Sequence, residues 1–451
     1  MTGTHAQHAL AEAYAGAARA IALVLGGGAL SRALPTVLPP HAPASLRGAI
    51  IDFSYSTLRS FGLPQFLTGK LLNRTVDDPV LIALLYVALL DLRAHPQRAH
   101  TIVDQAVRAA DQLGRTPAKG FVNAVLRNYQ RRSESLEAAV RLDPTCVHQH
   151  PLWWIERLRS NYPGHWQAVL AAGNAPPPLT LRVNRRRGSV ESALRMLADA
   201  GIDARVITPA AARAGQSMAI GLAQGLAVER IPGFATGHLS VQDAGAQWAA
   251  ALLDLAPGQR VLDACAAPGG KAGHILETAD VDLTALDNDR ERATRIAENL
   301  ERLGLHARIV IGDAATPEVW WDGECYDRIL ADVPCTASGV VRRNPDIKWL
   351  RRRGDVAKFA RVQTALLAAL WRVLRPGGRL VLVTCSVFHE ENQAQAEAFA
   401  SRFPDAKRIP VTTELAALGQ GAPPYHGQLL PSADNDGFFY AIFIKQDRPP
   451  E

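Results

Sequence analysis

The sequence predicts an α/β protein built from three parts, and the spacing of its apolar residues is the main observation behind this prediction. Residues 1–140 follow helical spacing, residues 141–235 mix short helical and extended runs, and residues 236–451 alternate extended with helical runs. Strands that alternate with helices of one apolar face build parallel sheets. We therefore expect an all-α domain, a small α+β module and a doubly wound, Rossmann-like domain, in that order.

The first part is expected to be a helical bundle. One predicted helix face carries Ile102, Val103, Ala106, Val107 and Ala110. A first helix should stop at residues 26–28, where three glycines follow one another. The apolar run from Pro79 ends at Asp91, so it is too short to cross a bilayer and predicts a buried helix.

Composition favours a folded chain and is compatible with a polyanionic partner. Hydrophobic residues make up 48% of the 451 residues, charged residues 20%, and the formal net charge is +6. A moderate basic excess suits a nucleic acid but does not establish one. The five cysteines are odd in number and include no Cys-x-x-Cys pair, which argues against a disulfide framework or a zinc site. We expect a cytoplasmic monomer without a metal ion or membrane contact.

The third part carries the clearest alternation of strands and helices. Strands are expected at residues 260–264, 284–287, 308–313, 327–332 and 378–385, with a last strand at 438–444. Helices are expected at 290–303 and 355–374. In doubly wound sheets, ligands bind at the carboxyl ends of the strands near the point where the strand order reverses.

Several of these strand ends carry residues suited to a nucleotide-like ligand. A glycine-rich turn follows the first strand and consists of Cys265, Ala266, Ala267, Pro268, Gly269, Gly270 and Lys271. Asp287, Asp313 and Asp332 end the next three strands, and Asp287 lies 17 residues (287 − 270) after Gly270. Carboxylates can accept hydrogen bonds from ribose hydroxyls and from an amino group. The pattern favours an adenosine compound, and it matches neither a Walker nor a complete dinucleotide motif.

Two cysteines stand where ligands are expected to bind. Cys335 follows the fourth strand and Cys385 ends the fifth, so the predicted sheet brings them to one cleft. Cys146 and Cys325 are expected to be small buried hydrophobic residues. A thiolate that adds to carbon 6 of a pyrimidine makes carbon 5 electron-rich enough to accept a methyl group from a sulfonium. A second group must then help to remove the carbon 5 proton and release the enzyme.

The C-terminal half resembles the RNA 5-methylcytosine methyltransferases of the Sun/Fmu family. The matching segments are LDACAAPGGK (262–271), DVPCTASG (332–339), RRNPDIKW (342–349), TCSVFHEEN (384–392) and DGFFYA (436–441). The N-terminal part resembles the NusB-like RNA-binding domain carried by bacterial ribosomal RNA methyltransferases of this kind, best at KGFVNAVLR (119–127) and HPLWW (150–154).

This resemblance implies an S-adenosylmethionine site and a covalent mechanism. Residues 265–271 would line the cofactor site, with Asp287 at the ribose, Asp313 at the adenine and Asp332 between cofactor and base. Cys385 would be the nucleophile, and Cys335 would assist product release. The expected substrate is RNA, with 16S ribosomal RNA favoured by the NusB-like part.

Residues 342–353 are rich in arginine and lysine and include Trp349. Such a segment could be a solvated helix, but we expect it to contact RNA phosphates and to stack on a base.

Three other functions remain open at this point. The first is a cytosine-5 methyltransferase of transfer RNA, and the second is a non-catalytic RNA-binding factor in ribosome assembly. The third, an amino-methyltransferase, would need an aromatic residue that residues 332–335 lack.

Overall fold

The computed structural model describes residues 2–207, 219–412 and 426–447, with side chains described from residue 9 onward. Contacts between residues group the chain into two compact units. The helical unit contains Met1–Ala175 and Val341–Arg353, and the sheet unit contains Pro176–Val340 and Gly354–Glu451.

The α-helices lie in the following order. They are α1 (Thr2–Leu25), α2 (Leu30–Val37), α3 (Ala44–Arg59), α4 (Gly62–Leu71), α5 (Pro79–Ala94), α6 (Ala99–Gln112), α7 (Lys119–Val140), α8 (Pro144–His148), α9 (Leu152–Asn161), α10 (Trp166–Asn174), α11 (Val190–Asp199), α12 (Trp248–Leu252), α13 (Gly270–Thr278), α14 (Arg290–Leu303), α15 (Ile347–Leu350), α16 (Asp355–Val373) and α17 (Gln393–Arg402).

The strands form two sheets. They are β1 (Leu179–Val183), β2 (Ala204–Val206), β3 (Ala219–Leu222), β4 (Leu239–Val241), β5 (Arg260–Ala264), β6 (Asp282–Asp287), β7 (Arg308–Ile311), β8 (Tyr326–Asp332), β9 (Leu374–Thr384), β10 (Ala406–Ile409), β11 (Gln428–Leu429) and β12 (Phe438–Lys445). The small sheet has the order β2-β3-β1-β4, and the large sheet has the order β10-β12-β9-β8-β5-β6-β7, with β11 paired to β12.

The helical unit packs around its first helix. α1 contacts α3, α5 and α6. It ends at Leu25, directly before the three glycines at 26–28, where the sequence predicts the end of the first helix. At the start of α5, the Asp78 carboxylate accepts hydrogen bonds from the Val80 and Leu81 amides, which otherwise lack partners at a helix start. Most of α5 is buried, which confirms the predicted core helix.

Among the described residues, no single helix is long and apolar enough to cross a membrane. The segments Pro79–Ala94 and Pro96–Gln112 reach such a length and apolar composition only when taken together, and they are bent by 114° relative to each other.

The predicted role of the basic segment at 342–353 in stacking on RNA is wrong for its central residues. Trp349 packs against Phe61 with ring centroids 5.1 Å apart, and its indole N–H donates to the Leu58 carbonyl at 2.8 Å. Lys348 is fully buried, and its Nζ donates to three oxygens at 2.9–3.0 Å, those of Arg59 O, Gln149 O and Asn174 Oδ1. These side chains anchor α15 to the core of the helical unit, because the partly buried indole ring packs against that core and the buried ammonium group has three acceptors.

The large sheet is parallel only in part. β7, β6, β5, β8 and β9 run parallel, as predicted, whereas β12 pairs antiparallel with β9 and with β10. The expectation of a wholly parallel sheet is therefore wrong at this edge. α17 carries the chain from β9 to β10, which run in the same direction, and β12 then enters between them and pairs antiparallel with both.

Both faces of the large sheet are covered. Along β9, Val381 and Val383 pack in one apolar cluster, and Leu380 and Leu382 pack in the cluster on the opposite face. Successive side chains of a strand point to opposite faces. This explains why the strands read as continuous apolar runs.

The small sheet joins the large one through a buried ion pair. Arg182 of β1 is buried, and its guanidinium donates to both carboxylate oxygens of Glu277 at 2.7 and 2.9 Å. The same side chain donates to the Gly270 carbonyl at 2.9 Å. The start and the last turn of α13 are thereby tied to the small sheet.

Replacing Trp349 by alanine is expected to destabilise the helical unit by about 3 kcal/mol, the usual cost of truncating a large packed aromatic side chain. Urea unfolding followed by circular dichroism measures this change. Arg353→Ala is the matched control, because Arg353 is exposed and its ion pair with Glu156 spans 3.6 Å at the surface. Equal stability losses in the two variants would contradict the assignment of Trp349 to the core.

Candidate active site

The candidate site lies at the carboxyl edge of the large sheet, where the strand order reverses. The chain passes from β5 outward to β6 and β7, then returns to place β8 on the other side of β5. Loops that follow β5 and β8 therefore diverge to opposite sides and leave a crevice between them. The glycine-rich turn follows β5, and Asp332 is the last residue of β8.

The glycine-rich turn has the backbone shape of a ligand cradle. Gly269 adopts a φ of +94° directly before α13 begins at Gly270, and a side chain there would meet the Ile296 backbone at 3.0 Å. Cys265 also has a positive φ, of 67°. α13 starts without a side-chain cap, so its first amides are available to a ligand.

Asp287 holds the turn from the end of β6. Its Oδ2 accepts from the Ala267 amide at 3.0 Å, and its Oδ1 accepts from the Asp289 amide at 3.1 Å. The Arg292 guanidinium lies 3.5 Å from the same carboxylate. Asp287 is thus fixed beside the glycine-rich turn.

Lys271 and Asp332 form an ion pair across the crevice. The Nζ of Lys271 donates to Asp332 Oδ2 at 2.6 Å. Burial lowers the pKa of the Lys271 ammonium, but the Asp332 carboxylate outweighs burial and the pKa is raised overall. Two residues predicted from separate motifs are therefore in direct contact, with the lysine charged.

Asp263 lies beneath this ion pair and was not among the predicted site residues. It is fully buried in β5, and neither carboxylate oxygen has a hydrogen-bond partner among the described residues. Burial and, after it, the nearby Asp332 carboxylate raise the pKa of Asp263 to about 8, although the Lys271 ammonium opposes both. An acidic residue within an apolar strand was the signal in the sequence.

Asp313 lies two residues beyond the end of β7 and is exposed. Its Oδ1 accepts from the Ala315 amide at 2.9 Å, and its backbone carbonyl accepts from the Trp320 indole at 2.8 Å. The side chain is thus oriented by its own turn at the same edge of the sheet.

The two predicted cysteines meet at the ends of β8 and β9. Cys335 Sγ and Cys385 Sγ are 3.4 Å apart in a hydrogen-bonded contact, although 50 residues separate them in the chain. The hydrogen bond with Cys385 raises the pKa of the Cys335 thiol well above its usual value, and burial adds to this shift. Cys335 is buried, whereas Cys385 is partly exposed.

Close backbone packing keeps the two cysteine loops together. The Gly339 amide donates to the Cys385 carbonyl at 2.8 Å, and the Gly437 amide donates to the Gly339 carbonyl at 2.9 Å. A Cβ atom at Gly339 would overlap the Gly437 carbonyl. The DGFFYA segment therefore contributes a glycine to the thiol side of the site.

The other cysteines fall outside this contact. Cys146 is buried, as predicted, but Cys325 is exposed, which contradicts its prediction as a core residue. Cys325 lies in the loop before β8, where no apolar layer covers it. Over the described ranges, no group of three or more His, Cys, Asp or Glu side chains could hold a metal ion.

A buried glutamate beside the cysteines was also missed. Glu391 belongs to the TCSVFHEEN segment and accepts hydrogen bonds from Thr336 and Ser386, the residues that directly follow the two cysteines. Its burial depends on tertiary packing, and the only trace in the sequence is a pair of acids five and six residues after Cys385.

Comparisons with known proteins give the same domain order. Residues 43–131 match the NusB family, residues 150–228 match the ferredoxin-like domain of RsmF/B-like methyltransferases, and residues 250–444 match the 16S rRNA methyltransferase RsmB/F family. The chain is 42% identical to ribosomal RNA small subunit methyltransferase B of Pseudomonas syringae pv. tomato, over 96% of this chain and 97% of that protein. The Vibrio cholerae protein of the same name is 40% identical over 93% and 94% of the two chains.

Solved structures agree with the fold. The crystal structure of PH0851 has a TM-score of 0.77 and 24% identity, and the alignment covers 96% of this chain and 99% of that chain. NSun6 from Pyrococcus horikoshii has a TM-score of 0.54 and 20% identity over 66% and 98% of the two chains.

The strand order and the residues at the sheet edge define a Rossmann-like methyltransferase domain that follows a NusB-like helical domain and a ferredoxin-like module. The relatives are similar over nearly their whole length. The chain belongs to the RsmB/F family of 16S rRNA methyltransferases. This confirms the family, the fold class and the enzyme class that the sequence predicts.

The buried acid Asp263 makes stability depend on pH. Because its pKa in the folded chain is raised to about 8, the folded state holds a proton that the unfolded state loses near pH 4. The stability contributed by this proton is complete below about pH 4 and is lost as the pH rises through 8. Asp263→Asn should therefore gain thermal stability relative to the unsubstituted protein as the pH rises from about 4 to about 8, and the difference should level off above pH 8.

The measurement is the difference in melting temperature between variant and parent at several pH values. Asp203→Asn is the control, since Asp203 is exposed in the same unit and its difference should stay flat. A flat difference for Asp263→Asn as well would show that Asp263 is ionised throughout.

Proposed function

We propose that this enzyme transfers a methyl group from S-adenosylmethionine to carbon 5 of a cytosine in 16S ribosomal RNA, through a covalent bond between Cys385 and carbon 6. The observation that carries the proposal is the 3.4 Å contact between Cys385 Sγ and Cys335 Sγ at the carboxyl edge of the sheet. A mechanism that needed only a nucleophile would give Cys385 a role but would leave Cys335 without one. The second thiol supplies the group that the release step needs.

The residues around the glycine-rich turn fit the cofactor. The turn and the start of α13 offer backbone amides, the buried Asp263 carboxyl has no partner among the described residues, and Asp287 is fixed at the end of β6. We assign residues 265–271 to the methionine side, Asp287 to the ribose and Asp313 to the adenine. When bound, S-adenosylmethionine supplies the methyl group as an electrophilic sulfonium.

Cys385 acts first. Its thiolate adds to carbon 6 of the cytosine, and the electrons of the C5–C6 double bond make carbon 5 nucleophilic. Asp332 stands between cofactor and base, and its Oδ2 is held by Lys271 at 2.6 Å. This fixes the carboxylate so that Oδ1 can accept a hydrogen bond from the base.

Cys335 acts second. After methylation, the carbon 5 proton is removed, its C–H electrons restore the double bond to carbon 6, and the bond to Cys385 breaks with its electrons returned to sulfur. We assign the proton transfer to the thiolate of Cys335, which becomes a thiol. The high pKa of this thiol makes its thiolate a strong base once formed.

The substrate assignment rests on the domains before the catalytic part. The Pseudomonas syringae and Vibrio cholerae relatives are named ribosomal RNA small subunit methyltransferase B, and the helical unit contains the NusB-like region. We propose that 1–140 binds RNA, that 141–235 is a further RNA-binding or linking module, and that 236–451 is catalytic. We also propose a monomer in the cytoplasm.

A transfer RNA substrate is the second candidate, since the chemistry at carbon 5 is the same. A non-catalytic assembly factor is disfavoured because Cys335, Cys385 and the three acids Asp287, Asp313 and Asp332 are all present.

Cys385→Ala should abolish methyl transfer while S-adenosylmethionine still binds, because the nucleophile lies outside the cofactor turn. Transfer of a tritiated methyl group to 16S ribosomal RNA measures the first effect, and isothermal calorimetry measures the second. Cys325→Ala is the control, since Cys325 is exposed and precedes β8, whose opposite end carries the site. Undiminished transfer by Cys385→Ala would exclude the covalent mechanism.

Cys335→Ala should accumulate a protein–RNA adduct that survives denaturing gel electrophoresis, because methylation proceeds and release slows. Double substitution of both cysteines should remove the adduct. If Cys335→Ala yields only free protein after incubation with substrate, Cys335 is not the release residue.

Bisulfite sequencing of RNA from cells that lack the enzyme reads the target base directly. The expected result is the loss of one protected cytosine in 16S ribosomal RNA. Loss in a transfer RNA instead would support the second candidate.

A further inference from the structure

Glu391 is the polar centre of the two cysteine loops. Its side chain is fully buried. Oε1 accepts from the Thr336 amide at 2.7 Å, while Oε2 accepts from the Thr336 hydroxyl and the Ser386 hydroxyl, both at 2.6 Å. Thr336 directly follows Cys335, and Ser386 directly follows Cys385. One carboxylate therefore spans both loops, one residue away from each sulfur.

Other hydrogen bonds reinforce the same junction. The Ser338 and Ser386 hydroxyls are 2.9 Å apart, and the Val387 amide donates to the Ser338 hydroxyl at 2.9 Å. The Asn392 side-chain amide donates a hydrogen bond to the Ser386 carbonyl at 2.8 Å, and its Oδ1 accepts one from the Thr384 hydroxyl at 2.5 Å. Hydrogen bonds to a carboxylate are shorter and stronger than those between neutral groups. Removing the Glu391 charge should therefore loosen this junction more than removing one of its neutral partners.

We propose that Glu391 is a positioning residue that sets the separation of the Cys335 and Cys385 sulfurs and thereby the rate at which the covalent RNA adduct is released. The proposal rests on the roles assigned to the two cysteines under Proposed function. Methyl transfer needs Cys385 and the cofactor, whereas release also needs Cys335 within reach of the carbon 5 proton. Weakening the hydrogen bonds that join Glu391 to the two cysteine loops should therefore slow release more than methyl transfer.

A second effect of Glu391 is electrostatic. Its negative charge adds to the rise in the pKa of the Cys335 thiol, after the larger contributions of Cys385 and burial. Removing this charge should lower the pKa of Cys335. The alkaline limb that reports Cys335 deprotonation in the release step should then move to lower pH.

The test compares Glu391→Gln with Glu397→Gln in the full-length protein. Glu397 lies on α17, is exposed and receives the same chemical change. With 16S ribosomal RNA and S-adenosylmethionine, Glu391→Gln should lower the turnover rate about 10- to 100-fold, the scale expected for misplacing a reacting group by about 1 Å. KM for S-adenosylmethionine should stay within about twofold.

Two readouts separate positioning from general loss of structure. The fraction of enzyme bound covalently to RNA at steady state should rise in Glu391→Gln, and the pH limb of release should shift downward. A melting temperature close to that of Glu397→Gln should accompany both. A turnover rate that falls only with the fraction of folded protein, without adduct and without a pH shift, would overturn the proposal.

If Glu391→Gln cannot be purified in folded form, Ser386→Ala provides the second variant, because it removes one hydrogen bond from Glu391 and leaves those from Thr336. It should accumulate adduct to a smaller extent. An unchanged release rate in Ser386→Ala would contradict the proposed positioning role of Glu391. Absence of adduct in Cys335→Ala would instead refute the assigned cysteine roles, so the two failures can be told apart.

Discussion

The parallel pairing of β8 with β9 is the constraint on which the site depends. Its register sets Asp332 opposite Val383, so the loops that carry Cys335 and Cys385 leave the sheet at the same edge, about 4.8 Å apart. The glycine-rich turn leaves β5 on the other side of β8. β8 therefore contributes to both sides of the crevice, with Asp332 in contact with Lys271 and Cys335 in contact with Cys385.

Buried polar contacts hold this edge together. Arg182 joins the small sheet to Glu277 and Gly270 of α13, and Glu391 joins the loops after β8 and β9. Such groups contribute little net stability when compared with apolar residues of the same shape, since desolvation offsets most of the attraction. Their partners are directional, however, and a satisfied network admits few alternative geometries. These polar contacts thus fix the geometry of the site even though they add little to the free energy of unfolding.

The sequence predicted most elements of the large sheet and the contact of predicted residues at its edge. β5 and α14 have the predicted bounds, because their periodicity is strong and their ends are marked. Strand direction left no such trace, so the antiparallel β12 was missed. The segment at 342–353 was misjudged because composition reports charge and aromaticity but not burial. Glu391 received no role, since its partners at 336 and 386 converge only in the folded chain.

The misjudged segment shows how a basic stretch can be structural. Lys348 is enclosed by Arg59 O, Gln149 O and Asn174 Oδ1, which are all neutral acceptors. Burial among neutral groups penalises the charged form, and the nearby Arg59 adds to this, so the pKa of Lys348 falls to about 7. Lys348 is therefore held by neutral oxygens of the helical unit and is enclosed rather than presented to solvent.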